Sequence, residues 1–220
     1  NTMKKLLTII VLSLGVSVNA QTGNTSTGTS ALASITTGDY NSAFGEGALN
    51  ANTSGLHNTA SGYQSLTTNI SGHYNTASGY QSLYSNTTAN RNTASGYRSL
   101  YVNTTGPDNT ATGVSSLTAN TTGSSNTATA SYSLSANTTG DNNTATGVNS
   151  LYSNITGNDN TATGRSALSA NTTGSSNTAS GYASLYNNTT GTQNTGLGRD
   201  AMASAVDATN QTVIGYEATG

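Results

Sequence analysis

Side chains able to do acid–base, nucleophilic or ligand chemistry are sparse in this sequence, and their placement argues against catalysis. The only histidines are His57 and His73, and both fall in the most variable stretch of a recurring pattern. General acid–base catalysis needs a titratable group held beside a nucleophile or a second carboxyl. Here Ser and Thr are everywhere, yet no Ser/His/Asp arrangement recurs. The expectation is therefore no catalytic residue, no cofactor-binding residue and no enzyme. Asp108, Asp141 and Asp159 occupy the same variable stretch without the full acidic set and paired glycines of a calcium-binding repeat, so no metal site is expected.

Side chains suited to contact are abundant by comparison. Tyr63, Tyr80 and Tyr97 recur every 17 residues and would stack into a short aromatic ladder. Such a ladder serves as an exposed platform for a glycan or protein, because Tyr offers a large amphipathic surface at low entropic cost. Alternatively it stabilises by stacking, or is buried between chains. A second tyrosine series runs through Tyr84, Tyr101, Tyr152 and Tyr186. Thr-Ala-Thr appears in four consecutive repeats, at Thr110/Thr112, Thr127/Thr129, Thr144/Thr146 and Thr161/Thr163. On a flat exposed face those two columns could order water in the manner of ice-binding solenoids, which they resemble. The asparagines from Asn52 to Asn188 that precede Thr-Thr-Gly or its variants are formal glycosylation sequons, although a structural turn accounts for them more simply.

What positions these side chains is a repeat. Asn recurs at residues 24, 41, 58, 75, 92, 109, 126, 143, 160, 177 and 194, always 17 apart, and Gln211 continues the register. With that Asn as position 0, the consensus N-T-A-[ST]-G-Y-x-S-L-x-x-N-T-T-G-x-x fits twelve copies without insertion. Strict spacing of this kind is the signature of stacked coils. Position 8 is Leu from Leu32 to Leu185 and becomes Met202, so it reads as the inward anchor. Gly at positions 4 and 14 marks corners, where positive φ or close backbone approach favours it. Asn at position 0 should stack on its neighbours as an amide ladder along the axis. Asn at position 11 suits a turn, where its side chain bonds local backbone. Phe44, Leu197 and Ile214 replace Ser or Thr at position 3, so that position is expected to be buried, inside the coil or against a neighbouring chain.

The segment N-T-A-[ST]-G is too small and too Thr-rich to favour helix, so each repeat reads as two short strands joined by two turns. Twelve parallel coils would make an all-β solenoid, or β-roll, on the order of 55 Å long. Only 32% of the residues are apolar and 6% charged, which excludes a conventional globular core. One Leu and a few small groups per coil offset little of the entropy of ordering. Backbone ladders, and association with other chains, must supply the rest. Residues 1–20 read as a secretory signal, with Lys4 and Lys5, an apolar stretch from Leu6 to Val18 and the small-residue site Val18-Asn19-Ala20. That stretch is shorter than the roughly 20 residues of a spanning helix, so no membrane span is expected in the mature chain. The mature repeat domain would cover residues 21–220. Its four arginines against eight acids leave a net charge of −4, which argues against nucleic acid as a partner. With no Cys, an exported protein must draw its stability from repetition or partners.

The N-T-A-x-G-Y-x-S-L and N-T-T-G alternation resembles the head repeats of trimeric autotransporter adhesins and of related tail-fibre-domain proteins. Asn210-Gln211-Thr212-Val213-Ile214-Gly215 is the segment most similar to the adhesin head motif. The resemblance covers about Thr22 to Gly220. It implies a left-handed parallel β-roll, a side-by-side homotrimer, and a secreted or cell-surface role, bacterial in view of the short Lys-Lys leader, in contact with a host-surface protein or glycan. The repeat is longer than the usual adhesin-head repeat, and no stalk heptads or anchor strands follow. Because the last repeat stops at position 9, the expectation is a domain truncated at its C-terminus.

Overall fold

A computed structural model describes residues 22–220, so the expected leader lies outside the described residues. The described chain is all-β, with twelve three-residue strands running from β1 (Thr25–Thr27) and β2 (Ser42–Phe44) to β11 (Thr195–Leu197) and β12 (Thr212–Ile214). They form one parallel sheet in sequence order. Each residue pairs with the one 17 positions on, as Thr59 with Thr76 and Thr76 with Thr93. The protein is thus a parallel β-solenoid with the periodicity of its sequence. Ala at position 2 points inward and is wholly buried from Ala43 to Ala179, as is Leu at position 8 from Leu49 to Leu185.

Two strands per repeat were expected, and the described chain has one. The Leu-bearing segment is instead a succession of tight turns in which positions 6 and 8 both take positive φ, for example Gln64 at 50° and Leu66 at 52°. Position 16 does the same, as His57 at 56°. A bulky residue at positive φ is uncommon and strained by about 1 kcal/mol or more. The strain is offset because alternating backbone conformation aims successive N–H and C=O groups along the axis. Leu66 donates to the Ser82 carbonyl of the next coil at 3.0 Å, and Gln81 to the Tyr63 carbonyl of the previous one at 2.9 Å. Backbone hydrogen bonds therefore link coils on the turn side as well as in the sheet.

The corner glycines divide between the two reasons for Gly. At position 4 the backbone needs φ of 125° to 135°, a value Ala130 approaches at 112°. At position 14 the reason is proximity: a Cβ on Gly123 would lie 2.5 Å from both the Gly140 carbonyl oxygen and Asn120 Oδ1.

Two amide ladders, not one, run through the interior. At position 0, each Oδ1 accepts the backbone N–H of the next coil's Asn, as Asn58 Oδ1 from Asn75 at 2.9 Å. At position 11, Asn120 Nδ2 donates to Asn103 Oδ1 and Asn137 Nδ2 to Asn120 Oδ1, both at 2.8 Å. The expected local bond is present too, from Asn120 Nδ2 to the Gly123 carbonyl at 2.9 Å. Asn109 Nδ2 reaches the same carbonyl at 2.8 Å, so the two ladders meet there and close the coil. Ser at position 7 seals the corner by donating to the position-4 carbonyl, as Ser150 to Gly147 at 2.8 Å.

Candidate functional site

With the interior filled by Leu, Ala and the Asn ladders, function falls to three outer surfaces. The first is the strand face, which carries positions 1 and 3. In the four Thr-Ala-Thr coils the second Thr of each pair (Thr112, Thr129, Thr146, Thr163) is exposed, as are Thr110, Thr144 and Thr161, with Thr127 partly so. Within a strand the two columns are about 6.7 Å apart, and along the axis the spacing is about 4.8 Å. Position 3 is not inside the coil, contrary to the expectation of burial there. Phe44 is 44% exposed, Leu197 48% and Ile214 65%. Alternation along a three-residue strand explains this, since Ala at position 2 takes the interior and its neighbours must face out.

The second surface is the turn flank at positions 5, 6 and 9, beyond the Gly corner. Tyr63, Tyr80 and Tyr97 stack as expected, with ring centroids 5.2 and 5.4 Å apart. Tyr84 stacks on Tyr101 at 5.2 Å. Arg98 lies 4.6 Å from the Tyr101 ring centroid and 5.7 Å from that of Tyr97, its Nε donating to Gln81 Oε1 at 3.1 Å. Rings in this half of the flank thus lie face to face with one another, although Tyr63, Tyr80 and Tyr97 stay exposed. Arg199 is placed between Tyr182 and Tyr216, 5.5 Å from each centroid. Sequence reasoning missed this sandwich, although the three residues are successive occupants of position 5. It also missed Tyr132, at position 6. Shallow grooves open between them: one of about 390 Å³ lined by Tyr132, Val148, Asn149, Tyr152 and Ser169, and one of about 340 Å³ that includes Tyr182, Tyr186 and Asp200.

The third surface is the variable turn at positions 15 and 16. His57 is stacked between Tyr40 and Tyr74 at 5.0 Å from each. His73 Nδ1 accepts the Leu56 N–H at 2.9 Å. Asp141 and Asn158 cap backbone N–H groups of the preceding coil in the same way, at 2.6 and 2.7 Å. Arg91 makes a bidentate pair with Asp108, at 2.5 and 2.8 Å. The hydrogen bonds from Arg91, and its charge, hold the Asp108 carboxyl below the ordinary carboxylate range. The residues of this stretch therefore serve coil-to-coil bonding. Among the described residues, no group of three or more His, Cys, Asp or Glu side chains could hold a metal ion, and no helix is long and apolar enough to cross a membrane.

The sequons look different in the folded chain. Each Asn Nδ2 from Asn69 to Asn188 is a buried donor in the ladder, closed to modification while the coil is formed. The chain matches no family model, no curated protein and no solved structure.

Proposed function

We propose that the chain is a non-catalytic rod segment of an extracellular adhesin head or fibre, in which three copies pack side by side through their strand faces. The observation that carries this reading is the position-3 column. The parallel sheet presents Phe44, Leu197 and Ile214 to solvent near its two ends, with small hydroxyl side chains between them. Apolar groups aligned on one flat face mark a contact surface. A thin rod whose coils bury one Leu and one Ala each gains most by covering that face. The resemblance to trimeric adhesin heads and tail fibres supports the same arrangement. Many equivalent coils on three chains would raise avidity without a strong single site. Binding partners would then be host-surface proteins or glycans.

A second reading rests on the same face. The exposure of both hydroxyl columns from Thr110 to Thr163 suits an ice-binding solenoid. The two readings need the face in opposite states, covered or free. Light scattering and small-angle X-ray scattering on the purified chain separate them. A three-chain rod supports the fibre reading. A folded monomer refutes side-by-side packing, and thermal hysteresis of such a monomer would establish the second reading.

A further inference from the structure

Position 9 alternates in the C-terminal half of the rod: Tyr152, Ser169, Tyr186, Ala203. In the N-terminal half, Tyr84 and Tyr101 occupy adjacent coils of that column and stack at 5.2 Å. Where Ser169 stands, the rings of Tyr152 and Tyr186 are two coils apart, about 9.5 Å, which leaves a slot one ring deep between them. Among the described residues no ring stacks on Tyr132, Tyr152 or Tyr186, whereas Tyr63, Tyr80 and Tyr97, exposed to a similar degree, lie ring against ring. Tyr152 and Tyr186 each line one of the two grooves, Tyr152 the first with Asn149 and Ser169, and Tyr186 the second with Ser166 and Asp200.

We infer that this flank is a binding site for a neutral, extended pyranose oligosaccharide running along the rod axis. A sugar ring is apolar on its faces and hydroxylated around its rim. Free tyrosine faces flanked by an amide and hydroxyls match both features. The first groove has no charged lining residue, which favours an uncharged sugar. Both grooves are open and shallow, as suits a ring gripped by its faces rather than an apolar side chain inserted end-on. Their two-coil spacing lets consecutive parts of one chain occupy both. The site deepens the adhesin reading, on which it rests, by naming the ligand class. It lies off the strand face and stays open when that face is packed.

The test is calorimetric and NMR titration of the purified full chain with cello-, manno- and chitohexaose, alongside its solution mass. Weak binding of at least one hexaose is expected, reduced about tenfold by Tyr152→Ala and by Tyr186→Ala and less than about twofold by Tyr63→Ala. Ser169→Tyr is the variant that keeps the fold, since it rebuilds the continuous stack seen at Tyr84 and Tyr101. It should strengthen the rod while abolishing binding. Failure of all three sugars to bind, or binding unchanged by Ser169→Tyr, overturns the site. A three-chain rod that ignores sugars leaves the fibre reading standing alone. A monomer that binds them through Tyr152 supports the site and removes the trimer.

Discussion

Replacing Asn120 by Ala should damage the rod far more than its small size suggests. Asn120 is wholly buried in the sixth coil and makes three side-chain hydrogen bonds: to Asn103 Oδ1 and the Gly123 carbonyl as donor, and from Asn137 Nδ2 as acceptor. The loss is not shared equally among the partners. Gly123 keeps the bond from Asn109, and Asn137 keeps its bond to Gly140, at 3.0 Å. Asn103 Oδ1 is left buried without a donor, which costs about 1–3 kcal/mol. The cavity vacated by the amide adds to that, for a total of about 3–4 kcal/mol. Because a solenoid is nearly one-dimensional, the effect should appear as local opening around the sixth coil. Native-state hydrogen exchange there, with exposed Thr122→Ala as control, is the measurement. A change below about 1 kcal/mol, comparable to the control, would refute the ladder as a source of stability.

Asn120→Asp sharpens the same test through its pH dependence. One carboxylate oxygen could still accept from Asn137, but the other would face Asn103 Oδ1 and the Gly123 carbonyl with no proton to offer. The folded state must hold this carboxyl protonated, so its folded pKa rises above the unfolded value of about 3.9. The variant should be nearest to the parent below that value. It should lose stability as pH rises, by up to about 1.4 kcal/mol per unit until the folded pKa is passed. A stability difference from the parent that is flat from acid to neutral pH would contradict the placement.

Other substitutions follow from single irregularities in the repeat. Ala130→Gly relieves an L-residue at φ 112° and should raise the melting stability by up to about 1 kcal/mol. The reverse change, Gly113→Ala, puts a Cβ 2.6 Å from the Ala130 carbonyl carbon and should lower it. Ser184 is a buried hydroxyl without a partner among the described residues, unlike Ser150 at the same position, and it lies beside Gly196, the one glycine at position 2. Ser184→Ala should therefore be stabilising by about 1 kcal/mol in a urea melt, since Ala48, Ala167 and Ala201 already fill that position. Asp108 is held below its ordinary range by Arg91, so the pair contributes above the carboxylate range and the contribution fades as pH falls through the folded pKa. Carbon-13 NMR should find the Asp108 midpoint moving up in Arg91→Ala.

The repeat made the fold legible because it converts identity at one position into a column in space. Leu at position 8 could be assigned inward, and Asn at position 0 to an axial ladder, from their recurrence alone; both columns are buried from the second coil on. The same logic fell short where a local motif gave a sufficient explanation. Asn-Thr-Thr-Gly reads as a turn, and the bond from Asn120 to Gly123 agrees, but the amide also extends a ladder that links it to Asn103 and Asn137. The positive φ of Leu66 and its counterparts has no sequence mark, because Leu carries no preference for that region. It follows from ladder bonding between coils, which no single repeat contains. Tyr152 and Tyr186 were visible as residues, but their free faces depend on Ser169 lying between them, a property of three coils together.

Position 3 shows how an exception can be read in either direction. Phe44, Leu197 and Ile214 suggested burial inside the coil or against a neighbouring chain, and a three-residue strand with its middle residue fixed inward removes the first of these. The interior is filled by Leu, Ala and two Asn ladders, and the apolar groups at position 3 stand exposed in the single chain. A face that offers hydroxyls through the middle coils and large apolar side chains near the ends has two uses, contact with another chain or contact with ordered water. Ordered water gains nothing from Phe44 or Ile214, whereas a neighbouring copy meeting the face in register would cover them. Ser or Thr substituted at Phe44, Leu197 and Ile214 together should therefore lower the solution mass of a three-chain rod while leaving each coil intact. The same triple substitution in a monomer would leave mass unchanged and extend the hydroxyl array, the outcome that would move the strand face from assembly to water.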